Sequence, residues 1–348
     1  MDNAVNRSFA KTLGAIGFGA ATLAHPLGAA MLLADTLRIG DRRRKYRANR
    51  FIMGTKVTIV ALHRSRDAAD AAIALAFNEI ERLAAIFDRH NSDTPISHLN
   101  ETGKLTDVPP ELFEVMEKAQ SFYHRSNGTF DATVLPVLDM LKSNTDSKGC
   151  LMLSHSDLDD ARALVGSEFV EVSASKISFG KSSMSVTLDG ISRGFIVDRA
   201  SDILAAQGVE NHLISAGGDI RARGESAPGQ PWVVVIKTHS GKGAYPAVIQ
   251  LKDSAVSTSG KMEFYFDAER SYYHVPTSAT TPAPYPEASV SVVASTVMEA
   301  DALSTAAFAM DAKDALQFIN LQKNSGCLIS SPSGLNVCSH DWEHMIGN

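Results

Sequence analysis

From Asp67 to Phe87 apolar residues recur at steps of three and four (Ala72, Leu75, Ala76, Ile80, Leu83, Ile86), which makes one face of an amphipathic helix. Just before it, Phe51 to Leu62 reads as a strand around the β-branched run Val57-Thr58-Ile59-Val60. A helix beside a strand leaves the fold class to the way the remaining elements alternate. Helical patterns return at Pro109–Arg125, at Gly194–Gln207 with Gly208 as a C-terminal cap, and at the Ala-rich Glu299–Met310. Short β-prone segments fill Phe169–Leu188, and strands are expected at Leu213–Ser215, Trp232–Lys237, Tyr245–Leu251 and Ser289–Ala294. Gly326–Ile329 and Leu335–Cys338 flank Ser331-Pro332-Ser333-Gly334 as a hairpin. The order never settles into βαβ, so the chain reads as α+β and not as a Rossmann sheet.

Composition narrows the function classes. With 348 residues, 44% hydrophobic and 21% charged, there is ample material for a packed core, and the composition is neither disordered nor fibrous. A formal charge of −6 argues against a general nucleic-acid binder. Three cysteines and no CxxC exclude a multi-bridge scaffold or a zinc cluster. Cys327 and Cys338 stand symmetrically about the centre of the hairpin turn, an arrangement that suits either a disulfide or two free thiols.

Residues 1–50 differ from the rest. Arg7 and Lys11 precede an apolar, Gly/Ala-rich run from Leu13 to Ala34, the order of an export signal, and Asn6-Arg7-Ser8-Phe9-Ala10-Lys11 resembles a twin-arginine signal with its first arginine replaced. Residues 1–30 are therefore expected to direct export to the periplasm; a retained membrane anchor, or a buried helix in a cytoplasmic protein, are the alternatives. Residues 31–50, with Arg42-Arg43-Arg44-Lys45, are expected as a basic linker before a body at 51–340.

Among motifs, Asp301 and Thr305 are four apart on the last helix, so both oxygens leave one face. That pair is a half-shell for a hard cation such as Mg²⁺, which fills its remaining positions with water and phosphate oxygens. The same spacing also suits an acid complementing the helix dipole and a threonine packed mid-helix. Ala216-Gly217-Gly218-Asp219 follows a strand and is either a close-approach loop for a ligand or a tight turn. No Rossmann or Walker fingerprint is present, and His90, His98, His212 and His274 share no metal-ligand spacing.

Taken in order these segments resemble the ApbE-type FAD:protein FMN transferases. Met53-Gly54-Thr55 is similar to the opening M-G-T, Phe87–Asn100 to the F-S-T-Y-x-x-D-S segment, and Gly128–Thr133 to G-x-F-D-x-T. Leu188–Asp198 resembles L-G-G-[IV]-[AG]-[KE]-G-[YF]-A-V-D, followed by the Ala216–Asp219 turn, Ser257-Thr258-Ser259-Gly260 and Asp301–Thr305. The resemblance implies a single two-lobed α+β domain with mixed, mainly antiparallel sheets and FAD in the cleft between lobes.

It further implies Mg²⁺-dependent transfer of FMN from FAD to a threonine of a partner flavoprotein, with release of AMP. By carry-over, Asp301, Thr305 and the backbone carbonyl of Ile196 would hold the metal. Met53, His90, Thr129, Phe130, Asp131, Arg193, Arg199 and Val275 would contact FAD, and His274 would stand at the reacting phosphate. The acceptor would be a membrane or periplasmic flavoprotein with a D-x-x-[ST]-G-[AST]-T motif. Arg193 replaces the family's Lys or Glu, His90 its Tyr, and the text after His274-Val275 lacks the D-P-x-T-G turn. A non-catalytic flavin-delivery protein and an FAD pyrophosphatase are the alternatives.

Overall fold

The computed structural model describes residues 43–144, 155–236, 247–260, 288–331 and 334–346, and the backbone of three further short strands. The strands are β1 Met31–Leu32, β2 Arg44–Ile52, β3 Thr55–His63, β4 Lys104–Thr106, β5 Val170–Val172, β6 Lys176–Phe179, β7 Asn211–Ala216 and β8 Asp219–Arg223. They continue with β9 Trp232–Ile236, β10 Ala247–Leu251, β11 Ser254–Gly260, β12 Phe264–Asp267, β13 Arg270–Tyr272, β14 Ser289–Ala294, β15 Gly326–Ser330 and β16 Asn336–Cys338. The helices are α1 Arg66–Phe87, α2 Pro95–Thr102, α3 Pro110–Arg125, α4 Leu135–Ser143, α5 His155–Arg162, α6 Ser192–Ala206, α7 Val297–Phe308, α8 Ala312–Asn320 and α9 Trp342–Met345.

An eight-stranded sheet in the order β16-β15-β14-β11-β8-β7-β3-β2 organises the molecule. Every ladder among the described strands is antiparallel, so the α+β expectation holds without a parallel pair. Alternation sends Val57, Ile59, Ile214, Ala216, Val290 and Val292 to one face, where α1, α3, α6 and α7 close the main core. The other face carries Val60, Leu213, Ile220, Val256 and Val293 under Trp232, Ile249 and Trp342. A third, small sheet, β4-β6-β5, sits beside α2 and α3.

Local chemistry explains the boundaries. Ser65 caps α1 by accepting from the Ala68 amide, and the helix buries Ala69, Ala72, Ile73, Ala76, Phe77, Ile80, Leu83 and Phe87. Leu75, counted in the sequence periodicity, falls just off that stripe and is exposed. Residues 44–50, expected as linker, instead form most of edge strand β2, because Tyr46, Ala48 and Ile52 supply alternate apolar contacts to the core, and Lys45 and Arg50 lie over the rings of Trp232 and Phe77. The expected strand from Phe51 is thus a hairpin turning at Met53-Gly54, where φ is 56° and 68°, the type I′ signature. The β15–β16 hairpin forms as expected, but Ser330 faces Asn336 and Leu328 faces Cys338. That one-residue offset puts buried Cys327 and exposed Cys338 out of register, and both are free thiols.

Candidate active site

Four chain segments meet at one end of the large sheet. The Gly217-Gly218 turn starts β8 with Asp219, which is fully buried. Ser257, on the adjoining strand β11, donates its hydroxyl to Asp219 Oδ1, and Arg193 Nε donates to Asp219 Oδ2. Arg193 lies in the first turn of α6, whose N-cap, Ile191, offers no side-chain acceptor. The orphan amides of that turn find a carboxylate from elsewhere: Gly194 N–H donates to Asp301 Oδ2 at 3.3 Å. Only glycine permits this approach, since a Cβ at 194 would lie 2.6 Å from the Met298 Cα.

Helix α7 is capped by Thr296, which accepts from the Glu299 amide, and is buried through nearly its whole length. Asp301 is 2% exposed and Thr305 9%. The Ser259 hydroxyl is 2.8 Å from that of Ser304 and 3.4 Å from that of Thr305. Opposite Thr305 runs the turn from Leu188 to Ile191; a Cβ on Gly190 would stand 2.9 Å from Thr305 Oγ1, so this turn too needs glycine. Two ties hold the turn. Arg89 Nε bonds Asp189 Oδ2 at 3.0 Å, and Asn100 exchanges two hydrogen bonds with the Val186 backbone.

The electrostatics follow from burial. Burial pushes the Asp301 carboxyl well above the usual carboxylate range, and the charge of Asp219 pushes it further, while Arg193 and the Gly194 amide oppose both. For Arg193 burial disfavours the charge, but Asp219, Asp301 and Asp189 outweigh it and hold the guanidinium above its ordinary value. Among the described residues no three His, Cys, Asp or Glu side chains gather around one point. A buried carboxylate short of positive charge, one turn from a threonine and facing a glycine turn, is nevertheless a donor set that fits a hard cation sharing its shell with phosphate oxygens.

The ApbE family model matches residues 53–329. The chain belongs to the ApbE family. Its relatives include proteins named FAD:protein FMN transferase from Haemophilus influenzae, 26% identical over 239 residues (66% of this chain, 69% of that protein), and from Treponema pallidum, 27% identical over 300 residues (77% and 80%). The crystal structure of the ApbE protein from Thermotoga maritima superposes with a TM-score of 0.75 at 26% identity, covering 88% of this chain and all of that one. The flavin transferase ApbE from Vibrio cholerae shares the fold, with a TM-score of 0.72 at 20% identity over 87% of this chain and 99% of that one.

Against the ApbE resemblance, the structure gathers some of the expected residues and separates others. Asp301, Thr305 and Arg193 lie together as described. Met53 sits in the β2–β3 turn, which neighbours the Gly217 turn through Thr55. His90 lies in the loop whose Arg89 holds Asp189. Thr129 is half-buried, and Phe130 is core: its ring packs on Phe122 with centroids 5.9 Å apart, leaving only backbone to meet a ligand. Asp131 is engaged in structure, its Oδ1 accepting from Ser167, from the Thr133 hydroxyl and from the Thr133 amide, and burial raises its pKa.

Ile196 lies inside α6, where its carbonyl takes part in the helical ladder. One expectation is corrected. Arg199, six residues beyond Arg193 and so about 240° further round the helix, leaves the site and pairs with Glu114 in a surface groove with Arg82 and Asp202. His274 and Val275 lie outside the described residues. Sequence reading did not select Asp219, Ser257 or Asp189; the signal was present in the Gly-Gly-Asp turn and the Ser-Thr-Ser-Gly strand end.

Proposed function

We propose that this chain is an FAD:protein FMN transferase. In the reaction a threonine hydroxyl of a partner flavoprotein attacks the FMN phosphorus of FAD, the pyrophosphate P–O bond breaks, and AMP and the hydroxyl proton are released. The observation that carries this reading is the buried convergence of Asp301, Thr305, Arg193 and Asp219 at the α6–α7 junction of an ApbE-family chain.

Asp301 and Thr305 would hold Mg²⁺, with the backbone carbonyl of Ile196 as a further ligand and the Gly190 turn packed against Thr305. Bound Mg²⁺ supplies charge neutralisation on the phosphoryl oxygens. Asp219 and Ser257 fix Arg193 through Nε, which leaves its two terminal nitrogens to grip a phosphate in a fork. Asp189, held by Arg89, keeps the glycine turn against Thr305. FAD would lie in the cleft along Met53, His90, the Thr129–Asp131 backbone and Val275, with His274 at the reacting phosphate. The Arg7/Lys11 and Leu13–Ala34 pattern supports export, hence a periplasmic or membrane acceptor carrying D-x-x-[ST]-G-[AST]-T.

The test is incubation of the purified chain with FAD, Mg²⁺ and an acceptor fragment bearing that motif, read by intact mass. An acceptor heavier by one FMN, with AMP released, is expected, and Asp301→Ala should abolish the gain without changing the circular dichroism spectrum. FMN and AMP with an unmodified acceptor would mark a pyrophosphatase instead, and intact bound FAD a flavin-delivery protein.

A further inference from the structure

The loop after α1 and the turn before α6 meet in one ion pair, Arg89 Nε donating to Asp189 Oδ2 at 3.0 Å. The motifs these segments resemble, F-S-T-Y and L-G-G, have threonine and glycine at the two places, so both charges are departures and they arrive together. Each partner sits on a fixed backbone. Phe87, the last residue of α1, packs edge-on against Phe195 of α6 with ring centroids 5.9 Å apart. Asp88 Oδ1 accepts from the His90 amide at 3.0 Å, and the Thr94 hydroxyl lies 2.9 Å from the Asp88 carbonyl. Opposite, the Asp189 amide donates to Thr187 Oγ1 at 3.3 Å, and Gly190 follows against Thr305. The charge of Asp189 acts on both Arg193 and Asp301, so the pair borders the volume those two share.

Holding a turn needs one bond, and Arg89 uses only its Nε edge for it. The side chain is 19% exposed, and its two terminal nitrogens make no hydrogen bond among the described residues. Arg193 is held in the same way, with Nε on Asp219 and the terminal fork left over. A dinucleotide pyrophosphate offers two anionic phosphates, and a planar fork steered from its Nε edge is the group that grips a phosphate at two oxygens.

We propose that Arg89 is a second phosphate-binding residue, its terminal nitrogens bonding the FAD pyrophosphate beside the phosphate held by Arg193; the inference rests on the transferase reading. Asp189 is then a positioning residue that acts through Arg89, as Asp219 acts through Arg193. The loop of Arg89 and His90 would meet one ligand with a cation for its phosphate and a ring for its flat group.

A tether alone would also explain the ion pair, and two variants separate the roles. FAD is titrated into the full chain by flavin fluorescence, without Mg²⁺ or acceptor, so that no turnover intervenes. Arg89→Gln should weaken FAD binding by about tenfold at low salt, the scale of a charge-assisted bond, and by less at high salt. Arg89→Lys should recover part of that loss. Asp189→Asn releases the turn but leaves the cation in place, so it should weaken FAD binding much less than Arg89→Gln. In the transfer assay, Arg89→Gln should raise KM for FAD with a smaller change in kcat. Unchanged FAD affinity in Arg89→Gln, or an equal loss in Arg89→Gln and Asp189→Asn, overturns the proposal and leaves the transferase reading standing. A wild-type chain that binds FAD but transfers nothing overturns that reading, while the affinity comparison still decides the role of Arg89. A wild-type chain that binds no FAD overturns both.

Discussion

The amide of Gly194 donates to Asp301 Oδ2 across 3.3 Å, so the carboxylate expected to bind metal also terminates the opening turn of α6. One contact thereby fixes the α6–α7 spacing and aims Arg193 and Asp301 into the same volume. Its geometry depends on a missing side chain, because a Cβ at 194 would meet backbone atoms of Val297 and Met298 at 2.6–2.7 Å. Backbone cannot rotate aside, so the helices must separate.

Gly194→Ala is therefore expected to cost about 3 kcal/mol, the upper end of overpacking. For a domain of this size that is roughly 5 °C in Tm. Transfer should fall far more than the population of folded protein, since the displaced element carries Asp301. A thermal melt together with a transfer assay below the melting range checks it, and a variant that melts and reacts like wild type would show that the helices tolerate the separation.

Asp219→Asn removes the anion that holds Arg193 through Nε. Breaking a buried pair from one side costs about 3 kcal/mol, reduced here because Asp301 and Asp189 also face the guanidinium. Asp219 raises the Asp301 pKa, so its loss lowers it, and the released Arg193 acts in the same direction. The acidic limb of the transfer rate should move to lower pH in the variant. A limb that stays in place would separate Asp301 from that titration.

Much of this arrangement was legible in the sequence. The Asp301–Thr305 spacing gave one helix face, and the Gly-Gly-Asp string gave a turn. What eluded it has identifiable causes. Strand β2 shows only half a pattern, because it half-buries Tyr46, Ala48 and Ile52 and carries cations at most of its other positions. Arg199 looked equivalent to Arg193 in a motif, but six helical residues turn it to another face. Cys327 and Cys338 were symmetric about the turn only if the loop held an even number of residues, and the Ser330↔Asn336 pair leaves residues 331 to 335 between the strands. Phe130 and Asp131 fitted a ligand motif equally well as core and cap, and sequence cannot show which neighbours claim them.

Asp198 accepts from the Val297 and Met298 amides at 3.0 and 2.9 Å, anchoring the start of α7 on α6. Asparagine can accept only one of those bonds and turns its amide donors toward the other. Asp198→Asn should cost about 1–2 kcal/mol, the scale of a lost helix cap. It should also weaken Mg²⁺-dependent transfer by displacing Asp301. Denaturant unfolding and a Mg²⁺ titration of the transfer rate test both parts, and unaltered Mg²⁺ dependence would confine Asp198 to stability.

Two buried groups make stability depend on pH in opposite senses. His212 is fully buried; its Nδ1 lies 2.7 Å from the Val209 carbonyl and its Nε2 2.7 Å from the Ser201 hydroxyl, so the neutral ring donates to one and accepts from the other. Burial lowers its pKa from 6.5 to about 4. A depressed base contributes stability that is full above its unfolded pKa near 6.5 and is lost as pH falls through about 4. Asp198 goes the other way. Burial raises it from 3.8 to about 6 despite its two amide bonds and Arg221, so its contribution is full below about 3.8 and is lost as pH rises through about 6. Each shift corresponds to about 3 kcal/mol, so the two largely offset each other across this window. Single variants should unmask them. Between pH 7 and pH 4, His212→Gln should lose less stability than the wild type, or gain some, whereas Asp198→Asn should lose more. Denaturant midpoints at several pH values decide it, and two variants whose profiles run parallel to the wild type would show that neither group titrates in this range.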